Sequence, residues 1–295
     1  MADDIHAQIS GLQRRAAEAR LRAANAEAMA ARFAEWAAPV PASLSQTYLR
    51  IAALQRRVQA RHLASARLQE QYANRLCAWL RRSGEPAPQP AFIDAVAAAI
   101  GVHSATVILL GTQQDEAVVA ASDATAQAAH DLEFVLGEGP GHFAVTHGRA
   151  VRGAGPALGD RWPQYGPAVA RLGVQAVLAV PLQPPPRLGA VCAYASQPAI
   201  SEETAVAVSA IADALPLTLS QAAGDARPGD GVPALPLFAA ADFPAVMHQA
   251  AGMVSQQCRC GTADALALLR ARAFSAGRPA EEIAIAVLRG ALRLG

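Results

Sequence analysis

The sequence predicts an α+β protein of three parts. These are a long N-terminal helical hairpin or coiled coil over residues 1–85, a central α/β domain over 86–222, and a C-terminal three-helix bundle over 237–295 that follows a linker over 223–236. Three observations predict this layout. Apolar residues recur three and four apart near the N-terminus, short strand-like runs alternate with helical ones in the middle, and two Pro/Gly-rich stretches, 84–88 and 225–233, separate the parts.

Composition and charge fit a globular protein with an uneven surface. The chain has 295 residues, of which 53% are hydrophobic, and all 25 of its Lys and Arg residues are arginine, a bias that we attribute to GC-rich coding. The net charge of +1 divides into +6 over 1–85, −6 over 86–222, −1 over 223–234 and +2 over 235–295. The middle therefore repels nucleic acid, while both ends tolerate it.

Several classes of protein are disfavoured. The N-terminus lacks an apolar leader, and no run approaches the roughly eighteen apolar residues that span a bilayer, so we expect a cytoplasmic protein without a membrane partner. The four cysteines are too few for a disulfide framework, and Cys258-x-Cys260 lacks zinc-site spacing, so no metal or cofactor is expected. No set of nucleophile, base and orienting group emerges, so no enzyme and no catalytic residue is predicted.

A heptad-like series runs through the first predicted helix at steps of four and three residues. Its members are Ile5, Ile9, Leu12, Ala16, Ala19, Ala23, Ala26, Ala30, Phe33 and Ala37. Alanine lets helices approach closely but contributes little hydrophobic free energy per residue. Pro39 and Pro41 end this helix, and Ser43 is expected to cap a second helix that runs to about Arg82.

The second helix has a less regular apolar face. Its members are Leu44, Ile51, Leu54, Val58, Leu68, Tyr72, Leu76 and Trp79. Two long helices joined by a short turn predict a hairpin, which alone buries too little surface to be stable. We therefore expect it to pack on a second copy or on the next domain, and we predict a homodimer. The sequence leaves open whether the hairpin pairs within or between subunits.

The middle of the chain alternates helices and strands in a way that favours an α+β sensor domain. The predicted elements are a helix over 90–100, strands Thr106–Leu110 and Ala117–Ala121, a helix from Thr125, a short helix carrying His142 and His147, a helix near 165–172, strands Ala176–Pro181 and Gly189–Ala195, and a long helix Glu202–Gln221. The glycine-rich loop 137–141 lacks the Lys-Ser/Thr pair of a phosphate-binding loop, so it is interpreted as a tight turn.

The C-terminal segment predicts three short helices. The first runs from Ala240, Thr262 is expected to cap the second, and Gly277 ends it. Pro279 suits the first turn of the third helix. The predicted buried residues of the second and third helices are Ala265, Leu266, Leu268, Leu269, Ile283, Ala284, Val287, Leu288 and Leu292.

This segment resembles the ANTAR domain of transcription antiterminators. The matching residues are Gln249-Ala250-Ala251-Gly252-Met253, Ala265-Leu266, Leu269-Arg270-Ala271-Arg272-Ala273-Phe274, Arg278-Pro279 and Ile283-Ala284. The resemblance implies binding to paired RNA hairpins in a nascent leader transcript, which stops an overlapping terminator from forming. The candidate RNA contacts are Gln249 and Gln256 for base edges, and Arg270, Arg272 and Arg278 for phosphates or stacked bases.

The central part is similar to a GAF domain of the kind found upstream of ANTAR. The matching residues are Leu136-Gly137-Glu138-Gly139-Pro140, Arg161-Trp162-Pro163, Gly173-Val174, Val180-Pro181-Leu182 and Gly189 to Tyr194. The resemblance implies a pocket for a small-molecule signal that the sequence does not identify, or for a protein signal. Glu138, His142 and Trp162 are its candidate ligand-binding residues.

These features together predict a signal-responsive, dimeric RNA-binding antiterminator. One alternative is a DNA-binding regulator that uses the same bundle, although the third helix is mostly apolar beyond its first turn. Another alternative is a protein-interaction scaffold with a degenerate ANTAR domain, because Ala251 stands where many members of that family carry a polar residue.

Overall fold

A computed structural model describes residues 2–81, 91–110, 116–182, 188–224 and 243–294. Its elements are α1 (Ala2–Trp36), α2 (Ala42–Arg81), α3 (Phe92–Ile100), β1 (Ser104–Leu110), β2 (Glu116–Ala121), α4 (Ala124–Leu136), α5 (Pro140–His147), β3 (Val151–Ala154), α6 (Pro156–Arg161), α7 (Tyr165–Arg171), β4 (Ala176–Leu182), β5 (Gly189–Ala195), α8 (Glu202–Gly224), α9 (Phe243–Cys258), α10 (Thr262–Ala276) and α11 (Ala280–Leu288). The predicted mixed α+β class, with a long N-terminal helical region, is confirmed. The stretches 84–88 and 225–233, and the predicted helix start at Ala240, lie outside the described residues.

The N-terminal helices form a hairpin within one chain. Nine of the ten residues in the predicted α1 series are buried, and Phe33 is half-buried. Ala16 and Ala19 pack against Ala66 of α2, and Arg20 pairs with Glu70 across the two helices at 2.7 Å. Near the turn, Phe33, Trp36 and Tyr48 form an aromatic group with ring centroids 5.3 to 6.2 Å apart. The small alanines thus bring α1 and α2 together, as the heptad series predicts.

Two predicted helix caps are wrong. Ser43 lies inside the first turn of α2, because the Pro41 carbonyl already accepts hydrogen bonds from the Leu44 and Ser45 amides at 3.0 and 2.9 Å. Thr262 is the first residue of α10, and Gly261 precedes that helix in extended conformation without a side-chain cap. The helix begins two residues earlier than a Ser43 cap predicts in α2, and one residue earlier than a Thr262 cap predicts in α10.

The five strands form an antiparallel sheet of order β2-β1-β5-β4-β3. Alternate residues of the central strands face opposite sides, as the period of two requires. One face packs with α2, α3 and α8, and it contains Val107, Leu109, Leu178, Val180, Val191 and Ala193. The other face packs with the helices from α4 to α7, and it contains Ile108, Val177, Ala179, Ala190, Cys192 and Tyr194.

The base of the hairpin is anchored on the first face of the sheet. Leu68, Tyr72 and Leu76 of α2 belong to the same hydrophobic core as Ile211 and Leu215 of α8. The Ser65 and Thr218 hydroxyls form a buried hydrogen bond of 3.1 Å across this contact. By length and apolar composition, the Glu202–Ser220 part of α8 is able to span a membrane, and in this structure the helix packs against α2, α3 and β4.

The three C-terminal helices enclose a small core of their own. Its buried members include Ala250, Ala251, Val254, Ala265, Leu269, Ile283, Ala284 and Val287. The prediction that Leu268 is buried is wrong: this side chain is 38% exposed, because Ala265, Leu269 and Ala273 take the core positions at steps of four residues. The bundle also packs on the second side of the sheet domain, where α9 lies beside β2 and α10 lies beside α4.

Candidate functional site

Helix α9 presents both candidate glutamines to solvent. Gln249 and Gln256 are exposed, whereas Ala250 and Val254 are buried in the bundle core. A spacing of seven residues is close to two helical turns, so the two amides lie on one face of α9. Because a side-chain amide offers both donors and an acceptor, this face is able to form hydrogen bonds with base edges.

Two of the candidate arginines are exposed on the same bundle. Arg272 lies in the second half of α10, and Arg278 follows Gly277, whose φ of 60° ends the helix in the left-handed region. The Arg278 Nε donates to Glu282 Oε2 at 3.0 Å, and both side chains are about half exposed. This ion pair is a surface pair of the kind that contributes little stability, so it leaves the Arg278 guanidinium available to a phosphate.

Arg270 is placed differently from the other candidate contacts. It is half-buried, and its guanidinium carbon lies 4.3 Å from the centroid of the Phe134 ring on α4. Phe134 itself is only 9% exposed. A cation over an aromatic face is attracted by about 0.5 to 2 kcal/mol, depending on desolvation. One predicted RNA contact is therefore used in this structure to hold α10 against the sheet domain.

The structure separates the five candidate RNA contacts into two groups. Arg270 and Arg278 line adjoining depressions between α4, α7 and α10. Gln249, Gln256 and Arg272 line neither of these depressions and are exposed. Of the two arginines that line the depressions, Arg270 is half-buried against Phe134 of the sheet domain, whereas Arg278 is exposed.

The candidate ligand residue Glu138 has a structural contact. Its Oε1 accepts hydrogen bonds from the backbone amides of Gln164 and Tyr165, at 2.7 and 2.9 Å. These amides stand at the start of α7, where backbone N–H groups lack helical partners and attract a negative charge. Glu138 therefore caps α7 and ties the glycine-rich loop to it.

Trp162 and His142 differ in burial and in the residues that they contact. Trp162 is 5% exposed, and its ring makes edge contacts with Phe143 and Tyr165 at centroid distances of 6.5 and 6.4 Å. The His142 side chain is exposed, and its backbone amide donates to Glu133 Oε2 at 2.8 Å. The ligand-binding role of Glu138, His142 and Trp162 stays a prediction.

Sequence reasoning missed a buried polar group beneath the glycine-rich loop. Its members are Glu133, Tyr165, Cys192, Tyr194 and Thr106, all 3% exposed or less. A Cβ on Gly139, where φ is 155°, would come within 2.3 Å of Glu133 Cγ, and one on Gly141 would come within 3.0 Å of Glu133 Oε2. The loop glycines thus allow the backbone to close over a buried carboxylate. The signal in the sequence was the recurrence of Ala126, Ala129 or His130, and Glu133 at steps of three and four residues along one face of α4.

Burial sets the ionisation of the two tyrosines in this group. Desolvation raises the pKa of Tyr165 well above its usual value, and the neighbouring Glu133 charge raises it further. Burial also raises the pKa of Tyr194, whose hydroxyl lies 3.2 Å from Thr106 Oγ1. Both phenols are therefore neutral at physiological pH. Within the described ranges, no group of three or more His, Cys, Asp or Glu side chains is arranged to hold a metal ion.

Comparisons with known proteins give little further guidance. No family model matches the chain, and no curated protein matches it. Among solved structures, a domain of a two-component sensor histidine kinase protein from Sinorhizobium meliloti 1021 is similar over 43% of this chain and 85% of that one, with 16% sequence identity and a TM-score of 0.32.

Proposed function

We propose that this protein is a signal-responsive RNA-binding transcription antiterminator that binds paired hairpins in nascent leader RNA as a dimer. The observation that carries this proposal is the division of the ANTAR-like motif by burial. Its alanine, leucine and isoleucine residues supply most of the bundle core, while Gln249, Arg272 and Arg278 of the motif are exposed, as is Gln256 farther along α9. A motif of core residues interleaved with exposed amides and guanidinium groups suits a small module that reads RNA.

The chemistry of these side chains suits RNA hairpin loops. Unpaired loop bases expose their edges to amide groups, and guanidinium planes stack on bases or bind phosphates. The segment 235–295 carries a net charge of only +2, so one bundle attracts RNA weakly. Two bundles on one dimer raise the effective concentration at the second hairpin, which favours paired hairpins over single ones.

The remaining parts of the chain have roles in the same proposal. Residues 1–85 are the dimerisation region, residues 86–222 form a GAF-like sensor domain, and residues 237–295 form the ANTAR-like RNA-binding domain. The sensor domain reports a small-molecule or protein signal to the bundle that packs on it. The proposed protein acts in the cytoplasm and catalyses no reaction.

A titration of the full chain tests this proposal. We expect the tightest binding to an RNA with two hairpins, weaker binding to a one-hairpin RNA, and the weakest binding to a DNA duplex of matched length. Raising the salt from about 50 to 200 mM should weaken binding to both RNAs, because arginine contacts release counterions. Equal affinity for all three nucleic acids would contradict the proposal, and so would no binding to any of them.

Matched variants locate the binding surface. Gln249→Ala and Arg272→Ala should each weaken binding to the two-hairpin RNA by about 5- to 50-fold, the range that corresponds to about 1 to 2.3 kcal/mol. Arg293→Ala is the control, because Arg293 is also exposed on the bundle but lies outside the motif. If Arg293→Ala lowers RNA affinity as much as Arg272→Ala does, the motif residues are not the contact surface.

A further inference from the structure

A groove runs between the sheet domain and the C-terminal bundle. It has a volume of about 490 Å³, and its walls come from α4 and α7 on one side and from α10 and the start of α11 on the other. A second, more open depression of about 350 Å³ adjoins it and shares Val135, Leu136, Gln164 and Phe274 with it. The groove is in the size range of sites that bind small organic molecules.

The walls of the groove are mainly apolar, and part of that apolar surface is exposed to solvent. Leu132, Val135 and Leu136 contribute from α4, and Ala168 contributes from α7. Two large side chains of the lining are conspicuously exposed: Phe274 at 62% and Leu172 at 38%. Removing an exposed aromatic ring and its apolar neighbours from water is favourable in free energy, so this surface favours the binding of an apolar group.

The charges of the lining favour a negative ligand. Arg171 and Arg278 line the groove together with one acid, Asp131, so the charged side chains of the lining sum to a net positive charge. Asp131 Oδ1 accepts a hydrogen bond from Gln127 Nε2 at 2.9 Å. Arg278 shares its charge with Glu282 in an exposed pair, whereas Arg171 forms no ion pair within the described part of the chain.

From these features we infer that the groove is a binding site for a small amphipathic monoanion, with a flat or branched apolar body and one carboxylate. The body covers Phe274, Leu172 and the α4 wall, and the carboxylate meets Arg171 and Arg278. A cation is repelled by this lining, and a polyphosphate needs more cationic groups than the groove offers. A neutral molecule of the same shape supplies no anionic partner for the Arg171 guanidinium, whereas Arg278 already pairs with Glu282.

This site is separate from the candidate ligand residues Glu138, His142 and Trp162, none of which lines the groove. Its existence does not depend on RNA binding. Because its walls come from both the sheet domain and the bundle, a bound molecule contacts both and holds α10 against α4. Holding α10 against α4 in this way affects the proposed function, since Arg278 is also a candidate RNA contact.

Calorimetric titration of the full chain with 2-naphthoate tests the inference. This probe has a flat apolar body and one carboxylate, and 2-naphthamide is its neutral counterpart. We expect saturable binding of one naphthoate per chain and about tenfold weaker binding of the amide, since a charge-assisted hydrogen bond is worth roughly twice a neutral one. No saturable naphthoate binding, or equal affinity for acid and amide, would overturn the site.

Variants of exposed residues place the probe in this groove. Arg171→Gln and Arg278→Gln should each weaken naphthoate binding by about 3- to 10-fold, and Phe274→Ala should weaken acid and amide alike. Arg293→Gln, which removes the same charge elsewhere on the bundle, should leave the affinity unchanged. Thermal unfolding of each variant checks that it is folded. Naphthoate binding that neither Arg171→Gln nor Arg278→Gln alters would place the probe outside the groove and overturn the assignment.

Discussion

Gly141 lies where the glycine-rich loop meets the sheet, and it has no room for a side chain. A Cβ there would be 2.9 Å from Cys192 Sγ and 3.0 Å from both Ile108 Cδ1 and Glu133 Oε2. We expect Gly141→Ala to lower the free energy of unfolding by about 1 to 3 kcal/mol through overpacking. Urea denaturation measures this change.

The same contact predicts a compensation by Cys192. Cys192→Ala removes the nearest atom, so the double variant should be less destabilised than the sum of the two single variants, by about 0.5 to 1.5 kcal/mol. Strict additivity of the two changes would show that the Gly141 position is not limited by the Cys192 side chain.

The two buried tyrosines give the protein a specific sensitivity to alkaline pH. Because burial raises the pKa of Tyr165 and Tyr194 in the folded state, the folded chain keeps both phenolic protons above about pH 10, where the unfolded chain releases them. The free energy of unfolding should therefore fall as pH rises above 10, by about 1.4 kcal/mol per pH unit for each tyrosine.

Phenylalanine substitutions measure each tyrosine's share of this slope. Denaturant midpoints between pH 9 and 11 should depend less steeply on pH in Tyr165→Phe and in Tyr194→Phe, and least in the double variant. A Tyr165→Phe protein with the wild-type slope would contradict the expectation that Tyr165 keeps its proton in the folded state.

Residue types predicted most of the bundle core, with Leu268 as an exception, but they did not show which arginine contacts the sheet domain. Arg270, Arg272 and Arg278 look equivalent in the sequence, whereas Arg270 alone lies over Phe134. Likewise, Glu138 in a glycine-rich loop suggests a ligand contact, and its actual partners are two amides 26 and 27 positions away in the chain. Such pairings depend on how distant elements meet, which local sequence does not report.

At the scale of elements, the α1 series is the feature that the sequence predicts best. Its period persists through ten apolar positions between Ile5 and Ala37. The small alanines at the contact require that α2 lie close to α1. Ala23 is 2% exposed on this seam, and its neighbour Ala24 is exposed. We expect Ala23→Leu to destabilise the chain by about 1 to 3 kcal/mol, since the larger side chain forces the helices apart.

Ala24→Leu is the matched control, because it adds the same atoms one position away on the solvent side. Its free energy of unfolding should stay within about 0.5 kcal/mol of the wild type. Helical circular dichroism followed through a urea titration compares the two variants. Equal stabilities would show that the α1 seam does not pack closely against α2.

The short helix α6 and the first residue of α4 are harder to predict from the sequence. The short helix α6, Pro156–Arg161, is only six residues long, so it offers too few turns for a helical period to emerge. The start of α4 depends on Asp123, whose Oδ1 accepts from the Ala126 amide at 2.7 Å, although Thr125 lies in the same stretch and also suits a cap. Helix existence therefore follows from periodicity, while helix ends follow from individual hydrogen bonds.

At the scale of the molecule, the sheet lies between the base of the N-terminal hairpin and the C-terminal bundle. The hairpin base packs on one face with α3 and α8, and the C-terminal bundle packs on the other side beside α4 and β2. The sequence predicts three parts but not these contacts, because they join surfaces that are distant in the chain. The consequence is that α4 links the buried polar group around Glu133 to α10, since Glu133 and Phe134 are neighbours on that helix.

If the bundle binds RNA as proposed, its docking on α4 competes with that binding. Arg270 stacks on Phe134 in the docked state, so RNA must displace the ring to use this guanidinium. Removing the ring should favour the undocked bundle, and Phe134→Ala should raise the affinity of the full chain for two-hairpin RNA by about 3- to 10-fold. Fluorescence anisotropy of labelled RNA measures the change.

Phe143 supplies a closely matched control for this experiment. The Arg161 guanidinium carbon also lies 4.3 Å from its ring centroid, but both residues belong to the sheet domain. Phe143→Ala should therefore leave RNA affinity unchanged, although it removes the same side chain and the same kind of contact. If wild type and Phe134→Ala bind RNA equally well, docking on α4 does not restrain the bundle; if neither binds RNA, the proposed function itself fails.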